Sequence, residues 1–204
     1  EGYAELFKEA HLNAPPAALF AQAAAWLEGL GVAPMCEAPS PPAARLAGLD
    51  WSEEPVAFGP GLRGVVTLPA RRSGRQAVVF ANTGGDPRSG IGAFASRAAR
   101  ALAAEGVATL RFDFAGLGES DSPVLAEWRP HVYETARTDD FRAAARVLDG
   151  LGYDELTLAG VCAGGYQALR GAIDEPRFRR IVAINSWLVW RPDNSLELRR
   201  ANVG

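Results

Sequence analysis

The chain has 204 residues, 48% of them hydrophobic, and a formal net charge of -3 at pH 7. That is enough apolar material for one domain, or one domain with a helical appendage. The mild acidity is scattered rather than blocked and argues against nucleic acid or an anionic membrane as the main partner. Two cysteines, Cys36 and Cys162, are too few for a disulfide framework or a zinc site, and a reducing, cytoplasmic compartment is expected. The apolar runs are strand-sized, which excludes a membrane span. No signal-peptide pattern is visible, although a sequence opening on Glu1 leaves a trimmed end open.

Residues 1–50 are alanine- and proline-rich and lack strand alternation, so they are expected to form a helical N-terminal extension. Tyr3 to Ala10 suits a short helix. Ala17 to Leu30 suits a longer one, with Leu19, Ala23, Trp26 and Leu30 on one face and Pro15 and Pro16 at its start. Pro39 to Pro42 reads as a connector. The segment either packs on the main domain or serves in docking, and His11 within it is read as a surface residue.

Residues 51–204 form the expected core domain. Pro55 to Phe58 and Leu62 to Leu68 read as strands joined by a turn at Gly59-Pro60-Gly61. Gln76 to Asn82 is a continuous apolar run, the mark of a strand buried on both faces. After the loop that opens with Asn82-Thr83-Gly84-Gly85, a helix with Phe94, Ala98 and Leu102 in line stops at Gly106. Val107 to Phe114 is the next strand. A loop then runs to Thr138, a good N-cap, with Asp139 and Asp140 as first-turn charges. Phe141, Ala145 and Leu148 line the helix that follows. Leu156 to Val161 is the central strand, Tyr166, Leu169 and Ile173 mark one helix face, and Arg180 to Trp187 reads as a last strand. Strands alternating with helices predict a mostly parallel, doubly wound α/β sheet with helices on both faces. Ligands of such sheets sit beyond the carboxyl ends of the strands. Three loops meet there: Asn82 to Gly90, Phe114 to Arg137, and the bend at Cys162.

That bend, Gly160-Val161-Cys162-Ala163-Gly164-Gly165, places small residues on both sides of one cysteine between a strand and a helix. It has the form of a nucleophile elbow with cysteine in place of the usual serine. The positive end of the following helix favours thiolate, and the amide of Ala163 becomes one oxyanion donor. A cysteine packed as a small hydrophobe is the bland alternative.

On these residues, together with Phe80-Ala81-Asn82-Thr83-Gly84-Gly85 and Arg111-Phe112-Asp113-Phe114-Ala115-Gly116-Leu117-Gly118-Glu119-Ser120, residues 55–190 resemble the α/β-hydrolase superfamily. The closest likeness is to its serine-aminopeptidase-like and acyl-ester hydrolase branch, often tied to polysaccharide or natural-product genes. The resemblance implies acyl chemistry, with Cys162 attacking an ester or thioester and Ala163 with Thr83 or Gly84 holding the oxyanion. The cysteine is similar to that of dienelactone hydrolases and polyhydroxyalkanoate synthases. A thioester intermediate can be intercepted by an alcohol or amine, so acyl transfer stays open beside hydrolysis.

The family order places an acid and then a His after the nucleophile. Here no His follows Cys162, and the chain holds only His11 and His131. The sequence is therefore read as a C-terminally incomplete fold, as one that uses His131 as base, or as a non-catalytic relative. Asp193, beyond the last strand, is the candidate acid. Asp113 and Arg111 are read as structural, and Glu119, Ser120 and Asp121 as solvent or rim residues. An unassisted cysteine is only a few per cent thiolate at neutral pH, so efficient turnover requires a base. No metal or organic cofactor is expected, because no metal or phosphate-loop spacing occurs. The expected partner is a small acyl ester or thioester, carrier-protein-bound in one reading. A homo-oligomer or a missing C-terminal segment would complete the sheet. Three functions remain: a hydrolase, an acyltransferase or lyase of secondary metabolism, and a hydrolase-like binding module.

Overall fold

The computed structural model describes residues 17–29, 45–121 and 137–186, and the backbone alone of 189–190 and 196–197. The chain divides into two compact units, Glu1–Pro42 and Ala43–Gly204. The first contributes one described helix, α1 (Ala17–Gly29), on which Phe20, Trp26 and Leu27 are exposed.

In the second unit the strands are β1 (Leu46–Ala47), β2 (Trp51–Phe58), β3 (Leu62–Pro69), β4 (Gln76–Phe80), β5 (Ala108–Asp113), β6 (Glu155–Val161) and β7 (Phe178–Ile184), interleaved with α2 (Phe94–Ala104), α3 (Thr138–Gly150) and α4 (Ala163–Asp174). They form one sheet in the order β1-β2-β3-β5-β4-β6-β7. β4, β5, β6 and β7 pair in parallel, whereas β1, β2 and β3 add antiparallel ladders. This is the doubly wound, mostly parallel arrangement that the alternating elements predict. A separate pair, β8 (Val189–Trp190) and β9 (Leu196–Glu197), is antiparallel.

Each face of the sheet has its own core. Leu110 and Phe112 of β5, with Val79 and Leu158, pack against Phe141 of α3 and Ala168 of α4. Edge-to-face contacts of Phe112 with Phe58, Phe114 and Phe141 strengthen this side. The other core is small: Phe80 and Ala159 against Ala95 and Ala99 of α2. Helix α2 thus buries Ala95, Ala99 and Ala103 while Phe94 stays exposed, one position round from the expected line. Alanine lets the helix lie close to the sheet; a bulkier stripe would hold it off. In α4 the buried residues include Gly164, Gly165, Tyr166, Gln167, Ala168 and Gly171, so Tyr166 of the expected face is buried whereas Ile173 is exposed.

A further correction concerns a polar residue. Thr138 begins α3 but makes no capping bond; Arg137 is the N-cap, and the Thr138 hydroxyl is 3.0 Å from Asp174 Oδ2. Asp139 and Asp140 are first-turn acids of α3 as expected, and Asp140 is in addition buried, its carboxylate accepting the Ala115 amide at 3.0 Å.

The candidate active site at the strand ends

β6 leads directly into Cys162, the N-cap of α4, whose backbone lies at φ 53 and ψ -119. A non-glycine residue there carries roughly 1–3 kcal/mol of strain, held only because its surroundings fix it. They do so here. The Cys162 amide donates to Ile184 O at 2.9 Å, and its carbonyl accepts the Tyr166 amide at 3.2 Å. Gly160 has no room for a side chain, since a Cβ would run into the Gly164 carbonyl. A Cβ on Gly164 would lie 2.5 Å from Asn82 O and 2.9 Å from Ala81 O. The small residues that flag the motif are therefore demanded by contact.

That contact brings the first turn of α4 against the peptide joining Asn82 to Thr83. Ala163, the residue before Gly164, and Thr83 consequently come from two chain segments pressed together. The loop beyond turns back at once, with Asp86 N donating to Thr83 O at 3.0 Å and Gly84 at φ +57. Among the described residues, the Thr83 and Gly84 amides donate to no other backbone group. Cys162 itself is half-buried. A cavity of about 70 Å³ opens beside the elbow, walled by Phe80, Phe94, Val161, Val182 and Ile184 and rimmed by the Asn82–Arg88 loop.

Asp113, expected to make structural polar contacts, makes them in a cluster with Arg88 and Asn82 that holds this loop. The Asp113 carboxylate is fully buried at the end of β5. Its Oδ1 accepts Arg88 N at 2.7 Å and Asn82 Nδ2 at 3.1 Å, and its Oδ2 accepts Arg88 Nη1 at 2.6 Å and Glu119 N at 3.2 Å. Asn82, also buried, donates to Asp86 O at 2.8 Å and accepts Phe114 N at 2.9 Å. Burial works against the Arg88 charge, but Asp113 and Glu119 outweigh it and hold the guanidinium above its ordinary pKa. Ser120 is buried, not a rim residue; its hydroxyl donates to Asp113 O at 2.6 Å and accepts Arg63 N at 2.9 Å. A Cβ on Gly118 would overlap the Asp113 carboxylate. The Gly-x-Gly-x-Ser run thus wraps one carboxylate.

Arg111 does not pair with Asp113. It lies 3.1 Å from Glu53 Oε1 and 3.3 Å from Thr67 Oγ1, and Glu53 also meets Arg100 at 2.7 Å. Burial pulls the Arg111 pKa down against the pull of Glu53. Burial pushes Glu53 up, and its arginine partners reverse that to leave it below its ordinary value.

Of the residues singled out in the sequence, Cys162, Ala163, Thr83 and Gly84 lie together at the carboxyl ends of β4 and β6. His131, Asp193, His11 and Cys36 lie outside the described residues. Among the described residues no three His, Cys, Asp or Glu side chains cluster as metal ligands, and no helix is long and apolar enough to cross a membrane.

Residues 76–203 match the family described as alpha/beta hydrolase fold, and the chain belongs to that family. No curated protein matches it. Among solved structures it is similar to a cold-adapted esterase from an Arctic intertidal metagenomic library, at 18% identity and a TM-score of 0.56, over 71% of this chain and 65% of that one. It is also similar to a serine hydrolase without a lid from Xanthomonas campestris, at 21% identity and a TM-score of 0.52, over 75% and 69% of the two chains. A third likeness is to a dienelactone hydrolase-like promiscuous phosphotriesterase from metagenomic libraries, at 21% identity and a TM-score of 0.54, over 70% and 62%. The chain thus spans 65%, 69% and 62% of these relatives' lengths, and at such identities the likeness is one of fold.

Proposed function

We propose that the protein is a hydrolase that opens an ester or thioester through an acyl-cysteine at Cys162. The observation that carries this reading is the strained Cys162 backbone at φ 53, wedged between β6 and α4 by contacts that tolerate only glycine at Gly160 and Gly164. Strain of this kind persists where a side chain must be presented at a sharp bend. The esterase named among the solved relatives supports ester hydrolysis in general.

In the first step the thiol gives its proton to a base, for which His131 is proposed, oriented by Asp193 as acid. The sulfur then bonds to the substrate carbonyl carbon, and the carbonyl π pair moves onto oxygen. Donors at Ala163 and at Thr83 or Gly84 bind that oxyanion; one such donor is worth about 3 kcal/mol. Collapse breaks the bond to the leaving alkoxide or thiolate, which takes up the proton. Water then attacks the thioester and releases the acid, in a cytoplasmic setting. The substrate is a small acyl ester or thioester, free or on a carrier protein.

Incubation with p-nitrophenyl acetate followed by peptide mass spectrometry tests this. The expected result is an acetyl group on the peptide containing Cys162 and none on the Cys162→Ala chain. Absence of any adduct in the parent favours a non-catalytic binding module. Adding alcohols or amines and analysing the products separates hydrolysis from acyl transfer.

A further inference from the structure

We infer that Asp113 is a positioning residue for the acyl step: its buried carboxylate, clasped by Arg88, fixes the Asn82–Gly90 loop and so aims the Thr83 amide at the developing oxyanion. This rests on the acyl-cysteine reading above.

The carboxylate receives four donors, and two of them are main-chain amides from different loops, Arg88 N and Glu119 N. A third is the side chain of Asn82, the residue whose peptide bond carries the Thr83 amide. Asn82 is held at both ends, by Asp86 O and by Phe114 N, so its backbone cannot turn without breaking that set. The Arg88 guanidinium spans Asp113 and Glu119 at 2.6 and 2.7 Å and balances the buried Asp113 charge. Three of the four donors to this carboxylate therefore come from the Asn82–Gly90 loop, and the fourth, Glu119 N, ties in the loop after β5.

Asp113→Asn keeps the shape and reverses one end. An amide has one acceptor oxygen; its NH₂ group must face either the Arg88 side chain and Glu119 amide, or the Asn82 and Arg88 amides. Either way buried donors meet a donor, and leaving them unsatisfied is costly. The relief is a shift of the loop. Arg88→Gln removes only the side-chain part of the clasp and keeps the Arg88 backbone bond.

Two reagents on the same thiol read this separately from stability. Acetylation by p-nitrophenyl acetate builds an oxyanion; alkylation by iodoacetamide displaces iodide at a saturated carbon and needs none. In the full chain, Asp113→Asn is expected to slow acetylation of Cys162 about 10- to 100-fold, within the range for a lost oxyanion donor. Alkylation should change by less than about twofold, because no oxyanion forms in it. Arg88→Gln should lower the same ratio by about threefold to tenfold, and it decides the question should Asp113→Asn fail to fold. An unchanged ratio in folded variants, or equal slowing of both reagents, overturns the role of Asp113 while the acyl-cysteine reading stands. A parent chain that alkylates but never acetylates overturns that reading, and this inference falls with it.

Discussion

Among the described residues, Glu175 and Asp113 are both buried carboxylates clasped by arginine, and they are used differently. Glu175, at the end of α4, takes the Arg177 Nε at 2.8 Å and Nη2 at 3.1 Å and the Arg142 Nε at 3.3 Å. Arg177 reaches on to Asp149 at 2.6 Å, so the cluster ties α3 and α4 to the start of β7. Its bonds are mostly between side chains, with one amide two residues away. Asp113 takes main-chain amides from two separate loops at the end of β5, and β4 lies between it and the strand that leads into the elbow. A carboxylate that bonds side chains fastens elements already placed by packing. One that bonds distant amides dictates where the backbone runs. The first should matter to stability, and the second to chemistry.

The largest effect should come from the contact that both regions presuppose. Gly164→Ala puts a methyl 2.5 Å from Asn82 O, which is backbone and cannot swing aside. Either α4 moves from the β4 end or the loop does. The expected outcome is destabilisation of about 3 kcal/mol, typical of forced overpacking, and a fall in Cys162 acetylation larger than that of Asp113→Asn. Denaturant melts and the acetylation assay check it; wild-type behaviour in both would break the account of the elbow.

Glu175→Gln sharpens the comparison from the other side. Its hydrogen bonds with Arg177 outweigh burial and lower its pKa from the ordinary 4.5 to about 2. A lowered folded-state value means that the stabilisation is complete above pH 4.5 and lost as pH falls to about 2. The difference corresponds to about 3 kcal/mol at neutral pH. The variant should therefore melt well below the parent at pH 7, with the gap closing as pH falls through that window. Acetylation of Cys162 in the folded variant should be unchanged. A gap that persists at pH 2 would show that shape rather than charge is at stake.

The layout of this fold was legible because buried parallel strands and amphipathic helices leave periodic marks. β4 reads from the run Gln76 to Phe80, and α3 from Phe141, Ala145 and Leu148, all three of which are buried. The elbow was legible because steric demands on glycine are written in the sequence as glycine. What could not be read was partner choice. Arg111 and Asp113 are two apart on one strand and invite pairing, yet each finds its counter-ion on another segment: Glu53 from β2, and Arg88 from the loop after β4. Sequence distance carries no information about such pairs. Asn82 stands in a recognisable motif, but its two-ended role depends on Phe114, a residue 32 positions away. Ser120 looked like a loop hydroxyl because short polar residues near glycines usually are.

Asp140 offers the smallest and most discriminating case, since it mixes the two designs. Like Asp113 it holds a main-chain amide, that of Ala115, and like Glu175 it lies near an arginine, Arg137. Yet burial dominates here: it pushes the Asp140 pKa above the usual 3.8, against the opposing pull of the Ala115 amide and of Arg137. A raised folded-state value carries the opposite sign to Glu175. The protonated form is the better one in the fold, so stability from this residue is greatest at low pH and declines as pH rises from 3.8 through the folded value. Asp140→Asn keeps an oxygen for the Ala115 amide and removes the charge. Relative to the parent, the variant should gain stability as pH rises from about 3.8 toward neutrality, by less than Glu175→Gln loses. Paired melts at pH 3 and pH 7 would measure it. A loss at neutral pH instead would mean that the negative charge, through Arg137, is what holds the loop after β5, making this carboxylate a closer cousin of Asp113 than its burial suggests.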